Sequence, residues 1–139
     1  MSSHPTRIVI APEPGGPDAL KIEERMLAPA GPGEVLIDVA GAGVNRPDVF
    51  ERMGLYPPPP GAPEGLGLEV SGTVREAGEG APYKPGDAVV ALVAGGGYAD
   101  IARAEAGSVL PAPAGVDLAV AAGLPETVFT VFSNVFMTG

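Results

Sequence analysis

The sequence contains no cysteine, and a single histidine occurs among its 139 residues. The first absence excludes disulfides, thiolate nucleophiles and thiolate-bound metal together. The second removes the positioned imidazole that a Ser-His-Asp hydrolase requires. The one histidine, His4, falls in an N-terminal segment expected to be mobile and uninvolved in chemistry. Basic side chains are scarce as well: 8 Lys and Arg stand against 17 Asp and Glu, a net charge of −9. Nucleic acid and anionic membrane surfaces are therefore poor partners, because phosphate groups attract basic patches. The acids are dispersed and form no acidic tail. The polar start, Met1 to Arg7, precedes no long apolar run. Neither a signal peptide nor a bilayer-spanning stretch is expected, and a cytoplasmic location is.

Glycine and proline are abundant instead, at 21 and 17 residues. Disordered chains are poor in apolar residues, and here the apolar fraction is 45% and the mean hydropathy +0.24. The composition fits one ordered, turn-rich domain with a real core. Strands are read at Arg7–Ile10, Leu20–Met26, Glu34–Ala40, Leu68–Glu76 and Asp87–Val93. In the third, Val35, Ile37 and Val39 share one face and Leu36 makes the other partly apolar, which marks a central strand. Gly95-Gly96-Gly97 is expected to turn the fifth strand back into Tyr98–Ala102 as a hairpin. A strand rather than a helix follows these glycines, so they are not read as a pyrophosphate cradle. Arg46–Met53 reads as a short helix with Asn45 as N-cap, Pro47 and Asp48 in its first turn and Gly54 past its end. Leu55–Pro63 holds five prolines and reads as a stiff loop. Asp117–Ala122 is read as one or two helical turns. Val128, Val131, Phe132, Val135 and Phe136 fall on one face of a final helix that starts near Pro125. The pattern predicts a mainly β fold: a partly open barrel with a few short helices and a C-terminal helix.

Four turn segments occur in order: Gly43-Val44-Asn45-Arg46-Pro47-Asp48, Gly54-Leu55-Tyr56-Pro57, Gly65-Leu66-Gly67-Leu68-Glu69-Val70-Ser71-Gly72 and Gly97-Tyr98-Ala99-Asp100. With the segment Leu124-Pro125-Glu126-Thr127, this order resembles the N-terminal, GroES-like domain of the medium-chain dehydrogenase/reductase superfamily, in its zinc-free quinone oxidoreductase branch. The resemblance covers about Arg7 to Gly139. It implies a GroES-like barrel over residues 1–124 and, over 125–139, the start of a helix leading to a Rossmann nucleotide-binding domain that this chain lacks. It also implies an enzyme of two domains that passes hydride from NADPH to a quinone or a related carbonyl compound, of which this chain is the substrate-side part, inactive alone. Zinc-dependent relatives carry Cys where Asn45 stands and His where Leu68 stands. Neither residue here replaces a thiolate or an imidazole, so no metal is expected.

Each candidate site residue has two readings. Asn45 is either a helix cap or an amide at a cleft mouth, bonding the nicotinamide or the substrate; the family pattern favours the second, and an amide can do both. Arg46, Pro47, Asp48 and Val49 would line the same wall, with Arg46 and Asp48 as cofactor contacts. Tyr56 either pins its Pro-rich loop or borders the substrate and nicotinamide pocket. Thr130 either bonds the carbonyl of the preceding helical turn or, by resemblance, approaches the cofactor. Glu69 is expected to hydrogen-bond at the barrel rim rather than serve as an acid. The rival to an oxidoreductase domain is a self-contained GroES-like binding or assembly module without enzymatic activity. Under either reading the apolar terminal face needs a cover, and association to a homodimer is expected.

Overall fold

The computed structural model describes residues 2–138. Strands β1 (His4–Ile10) and β2 (Lys21–Leu27) pair antiparallel, with His4 opposite Leu27 and Ile10 opposite Lys21. Five further strands form a second antiparallel sheet: β3 (Glu34–Ala42), β4 (Glu69–Ala77), β5 (Ala88–Leu92), β6 (Ile101–Glu105) and β7 (Val109–Pro111), in the order β6-β3-β4-β5-β7. A bridge between Ile8 and Ala99 ties the two sheets. Beside it the Arg7 guanidinium donates through Nε and a terminal nitrogen to the two Asp100 carboxylate oxygens, 2.9 Å each. The result is a curled, half-open barrel, as the turn-rich composition predicts.

The core follows the strand alternation. Val35, Ile37, Val70, Val74, Val89 and Ala91 pack together inside the curl, while Leu36 packs on the other face with Ala30 and Ile101. Burying each large aliphatic side chain contributes roughly 1.5–3 kcal/mol. β3 is apolar on both faces because it lies inside the sheet, between β6 and β4. Its register shifts between Leu36 and Ile37 and between Val39 and Gly41, and such bulges bend a sheet toward closure.

Several sequence expectations are corrected. β5 and β6 are not a hairpin: β6 crosses to the far edge and pairs with β3. Instead of turning, the 95–98 segment lies along the 65–67 loop, with Gly96 N donating to Gly65 O (2.8 Å) and Tyr98 N to Leu66 O (2.9 Å). A Cβ on Gly97 would stand 2.9 Å from the Gly67 carbonyl carbon, so glycine serves backbone approach there rather than reversal. His4 is not in a loose terminus. It belongs to β1, and its Nε2 lies 2.7 Å from Glu76 Oε2, while Glu76 Oε1 accepts from Ala30 N. Strand pairing and this contact anchor the segment.

Helix α1 (Arg46–Arg52) lies where the sequence places it and ends at Gly54, φ +76°. Residues 55–63 form no regular element. The helical turn expected at 117–122 is a 3-10 turn at Val120–Gly123. Helix α2 (Pro125–Phe132) gives way to a π-type turn at Ser133–Met137, where Asn134 Nδ2 takes the Thr130 carbonyl. Its apolar face is uncovered, from 49% exposure at Val128 to 72% at Phe136. These three helical pieces join into an 18-residue path, Val120–Met137, with mean hydropathy 1.3, long and apolar enough by composition to cross a membrane. This differs from the expectation of no bilayer-spanning stretch, because the window joins three helical pieces across Gly123 and Pro125. Ala121, Ala122 and Pro125 are buried in the domain.

Candidate functional site

The sequence-predicted residues separate into a connected group and an outlier. Asn45, half-buried, stands at the N-cap of α1 and forms a reciprocal capping pair with Asp48. The well-formed bond of that pair runs from Asn45 N to Asp48 Oδ2, 2.8 Å. The Asn45 side chain does more than cap: its Nδ2 donates to Glu69 Oε1 at 3.0 Å. Capping and a bond to the buried Glu69 therefore coexist on one residue.

Asp48 is 3% exposed, and its carboxylate faces inward. Oδ2 also accepts from the Tyr98 hydroxyl at 2.6 Å, whereas Oδ1 is buried without a partner. The same hydroxyl lies 3.2 Å from the Gly43 carbonyl. Burial and the Asp48 carboxylate push the Tyr98 phenol well above its ordinary pKa. Tyr98 thus stays a neutral donor. It is a site-supporting residue that sequence reasoning missed: its Gly-Tyr-Ala-Asp turn was visible, its partner was not.

Glu69 opens β4 and is 2% exposed. Its second oxygen, Oε2, accepts from Glu126 N in the first turn of α2, 2.8 Å. It is therefore a rim hydrogen-bonding residue, as expected, but one that joins three elements. Gly43 makes room for it: a Cβ there would fall 1.9 Å from Glu69 Oε1. Glu126 carries its own carboxyl close by, and desolvation, then Glu69 and Asp48, raise its pKa. Burial and Asp48 likewise raise that of Glu51. The local field is negative.

Thr130 lies one helical turn beyond Glu126 on the same side of α2, roughly 6 Å along the axis, and is exposed. The bond to the preceding turn considered for Thr130 is made by Thr127, whose hydroxyl donates to Gly123 O at 3.2 Å. Arg46 is exposed, its guanidinium carbon 6.0 Å from the Phe50 ring centroid, and among the described residues it pairs with no carboxylate. Tyr56 is 44% exposed just past the C-terminal end of α1, while Asn45 marks the N-terminal end. Seven residues of helix separate the two by about 10 Å. The two residues thus flank one helix at opposite ends. A cleft of about 400 Å³ lies elsewhere, between Pro59–Pro63 and Arg103–Glu105. Among the described residues, no three of His, Cys, Asp and Glu are grouped to hold a metal ion.

Comparison with known proteins places the fold. Residues 31–114 match the alcohol dehydrogenase GroES-like domain. The rat (Rattus norvegicus) quinone oxidoreductase is 33% identical over 125 residues, which cover 88% of this chain and 38% of that protein. The Escherichia coli quinone oxidoreductase, solved in complex with NADPH, superposes with a TM-score of 0.80 at 34% identity, over 96% of this chain and 41% of that one. The human synaptic vesicle membrane protein VAT-1 homolog-like protein gives 0.87 at 27% identity, over 97% and 44%. The chain spans well under half the length of these relatives. It belongs to the alcohol dehydrogenase GroES-like domain family.

Proposed function

We propose that this chain is the substrate-side domain of an NADPH-dependent quinone oxidoreductase, with residues 1–124 as the barrel and 125–139 as the start of a helix leading to a Rossmann domain. The observation that carries this reading is the bonded series Asn45–Glu69–Glu126, which sets the α1 N-terminus against the first turn of α2. Asn45 presents an oriented amide, Thr130 an exposed hydroxyl one turn along α2, and Arg46 an unpaired cation. Together these offer the amide, hydroxyl and cation that a nicotinamide dinucleotide can bond, with Arg46 a positive group set against the negative field of Asp48, Glu69 and Glu126. Bound NADPH would supply the hydride, and the protein would supply orientation and exclusion of water. Asn45, Arg46 and Thr130 are assigned to the cofactor. Asp48 acts from behind by holding the Asn45 backbone. Tyr56, on the exposed loop, is assigned to a quinone or carbonyl substrate, against whose ring it can stack. No metal takes part in this scheme, and the setting is cytoplasmic.

The domain offers one wall of the cleft, which explains why Thr130 and Tyr56 lie on open surface and Asn45 is only half-buried. Alone it is expected to be inactive and to bind NADPH weakly or not at all. Isothermal titration of this chain with NADPH tests that, and submicromolar binding would overturn the two-wall reading. In the full-length protein, Asn45→Ala is expected to weaken NADPH binding at least tenfold, about 1.4 kcal/mol. Unchanged affinity would remove Asn45 from the site.

A further inference from the structure

Helix α2 begins without a cap of its own. Leu124 stands at its N-cap, makes no side-chain cap bond, and Pro125 follows at the first position. The N–H groups of a first helical turn have no intrahelical partners, and a helix N-terminus favours negative charge. Glu69 meets that need from 57 residues away: its Oε2 accepts from Glu126 N. The other oxygen, Oε1, accepts from Asn45 Nδ2. A carboxylate only accepts, so the amide atom turned to it is the NH2 group and not the oxygen. No Arg or Lys pairs with Glu69 among the described residues. Its compensation comes from these two donors.

We propose that Glu69 is the positioning residue of the site: one oxygen fixes which way the Asn45 amide points, and the other caps α2 and so sets Thr130 at a defined distance from that amide. The functional part rests on the assignment of Asn45 and Thr130 to the cofactor, whereas the latch itself does not. Glu69 touches no reacting atom in this scheme. It holds the two contacts in register before any ligand arrives, and any shift of α2 is transmitted to the Asn45 amide through one side chain.

The test reverses the polarity of the latch. In Glu69→Gln, the side chain keeps one acceptor and faces two donors, so either one of the two bonds is lost or the Asn45 amide turns over to accept from the Gln NH2, which moves its own NH2 group. In the double variant Asn45→Asp with Glu69→Gln, the Gln NH2 donates to the Asp carboxylate and the Gln oxygen accepts from Glu126 N. Both bonds return, and Asp caps α1 as well as Asn does. Hydrogen exchange and side-chain amide NMR on this chain read the outcome without cofactor. Glu69→Gln should speed exchange at Glu126 N roughly tenfold or shift and deprotect the Asn45 NH2 signals. The double variant should restore Glu126 protection to within about threefold of the parent. If Glu69→Gln does not fold and the double variant does, the latch is supported equally. Unchanged Glu126 exchange and Asn45 NH2 signals in a folded Glu69→Gln protein overturn it, as does a double variant with no recovery. In the full-length protein the double variant should keep α2 docked yet bind NADPH at least tenfold more weakly, because the amide is gone. Parent-like affinity there, with exchange restored, would leave the latch standing and remove Asn45 from the cofactor.

Discussion

Adding one methyl group at Gly43 should release α2 from the barrel. Gly43 has no left-handed backbone angle, so alanine brings no conformational strain of its own. The cost comes from contact: the new Cβ would stand 1.9 Å from Glu69 Oε1 and 2.4 Å from its carboxyl carbon. The Glu69 side chain can rotate away only by leaving both Asn45 Nδ2 and Glu126 N. Hydrogen bonds to a charged group contribute roughly 1.5–3 kcal/mol each, so two of them set an upper limit near 6 kcal/mol. Asn45 and Glu126 are both half-buried and recover part of that from water, which leaves about 2–4 kcal/mol for Gly43→Ala. For a chain of 139 residues that lowers the melting temperature by roughly 7–14 °C. Urea unfolding supplies the free energy, and Gly107→Ala, which meets nothing within 4 Å, is the control, expected within about 0.5 kcal/mol of the parent. A double-mutant cycle locates the origin. In a Glu69→Ala background the methyl group has nothing to displace, and Gly43→Ala should cost less than about 0.5 kcal/mol. An equal cost in both backgrounds would refute the reasoning, because the clash would then involve something other than the latch.

Three further outcomes are expected. Tyr98→Phe removes the donor to Asp48 Oδ2 and leaves a carboxylate that already has one unpaired oxygen, so thermal unfolding should show a loss of about 1.5–3 kcal/mol. The raised Tyr98 pKa means that folding favours the protonated phenol: that stability is complete below the unfolded value, about 10, and is lost as pH rises toward the folded one. In a spectrophotometric alkaline titration, Tyr98 should therefore ionise well above the ordinary tyrosine range or together with unfolding, and its early ionisation would contradict the buried Asp48 contact. Finally, the isolated chain should self-associate through the face that carries Phe132 and Phe136, whose rings lie 5.2 Å apart, and Phe136→Ser should shift sedimentation toward monomer. A parent chain that stays monomeric at high concentration would show that this face needs no cover.

The parts of this structure that were legible in the sequence are those whose cause is local. Val35, Ile37 and Val39 alternate because one sheet face is buried, Asn45 and Asp48 mark a helix start because their roles span four residues, and Gly54 ends that helix. What escaped reading depends on partners far apart in the chain. β6 lies beside β3 and not β5, a pairing that glycine-rich connections do not specify. His4 is held by Glu76, 72 residues on, and Tyr98 by Asp48, 50 residues back. Glu69 looked like an ordinary rim carboxylate because its two partners lie 24 and 57 residues away. Yet one signal was present. A helix that opens Leu124-Pro125-Glu126 has neither a capping side chain nor a proton on Pro125 N, so its first free N–H needs an acceptor from elsewhere. An uncapped helix start following a buried acidic strand residue is thus readable as a pair. The glycine at position 43 then takes on a physical meaning: it is the space into which that acid folds.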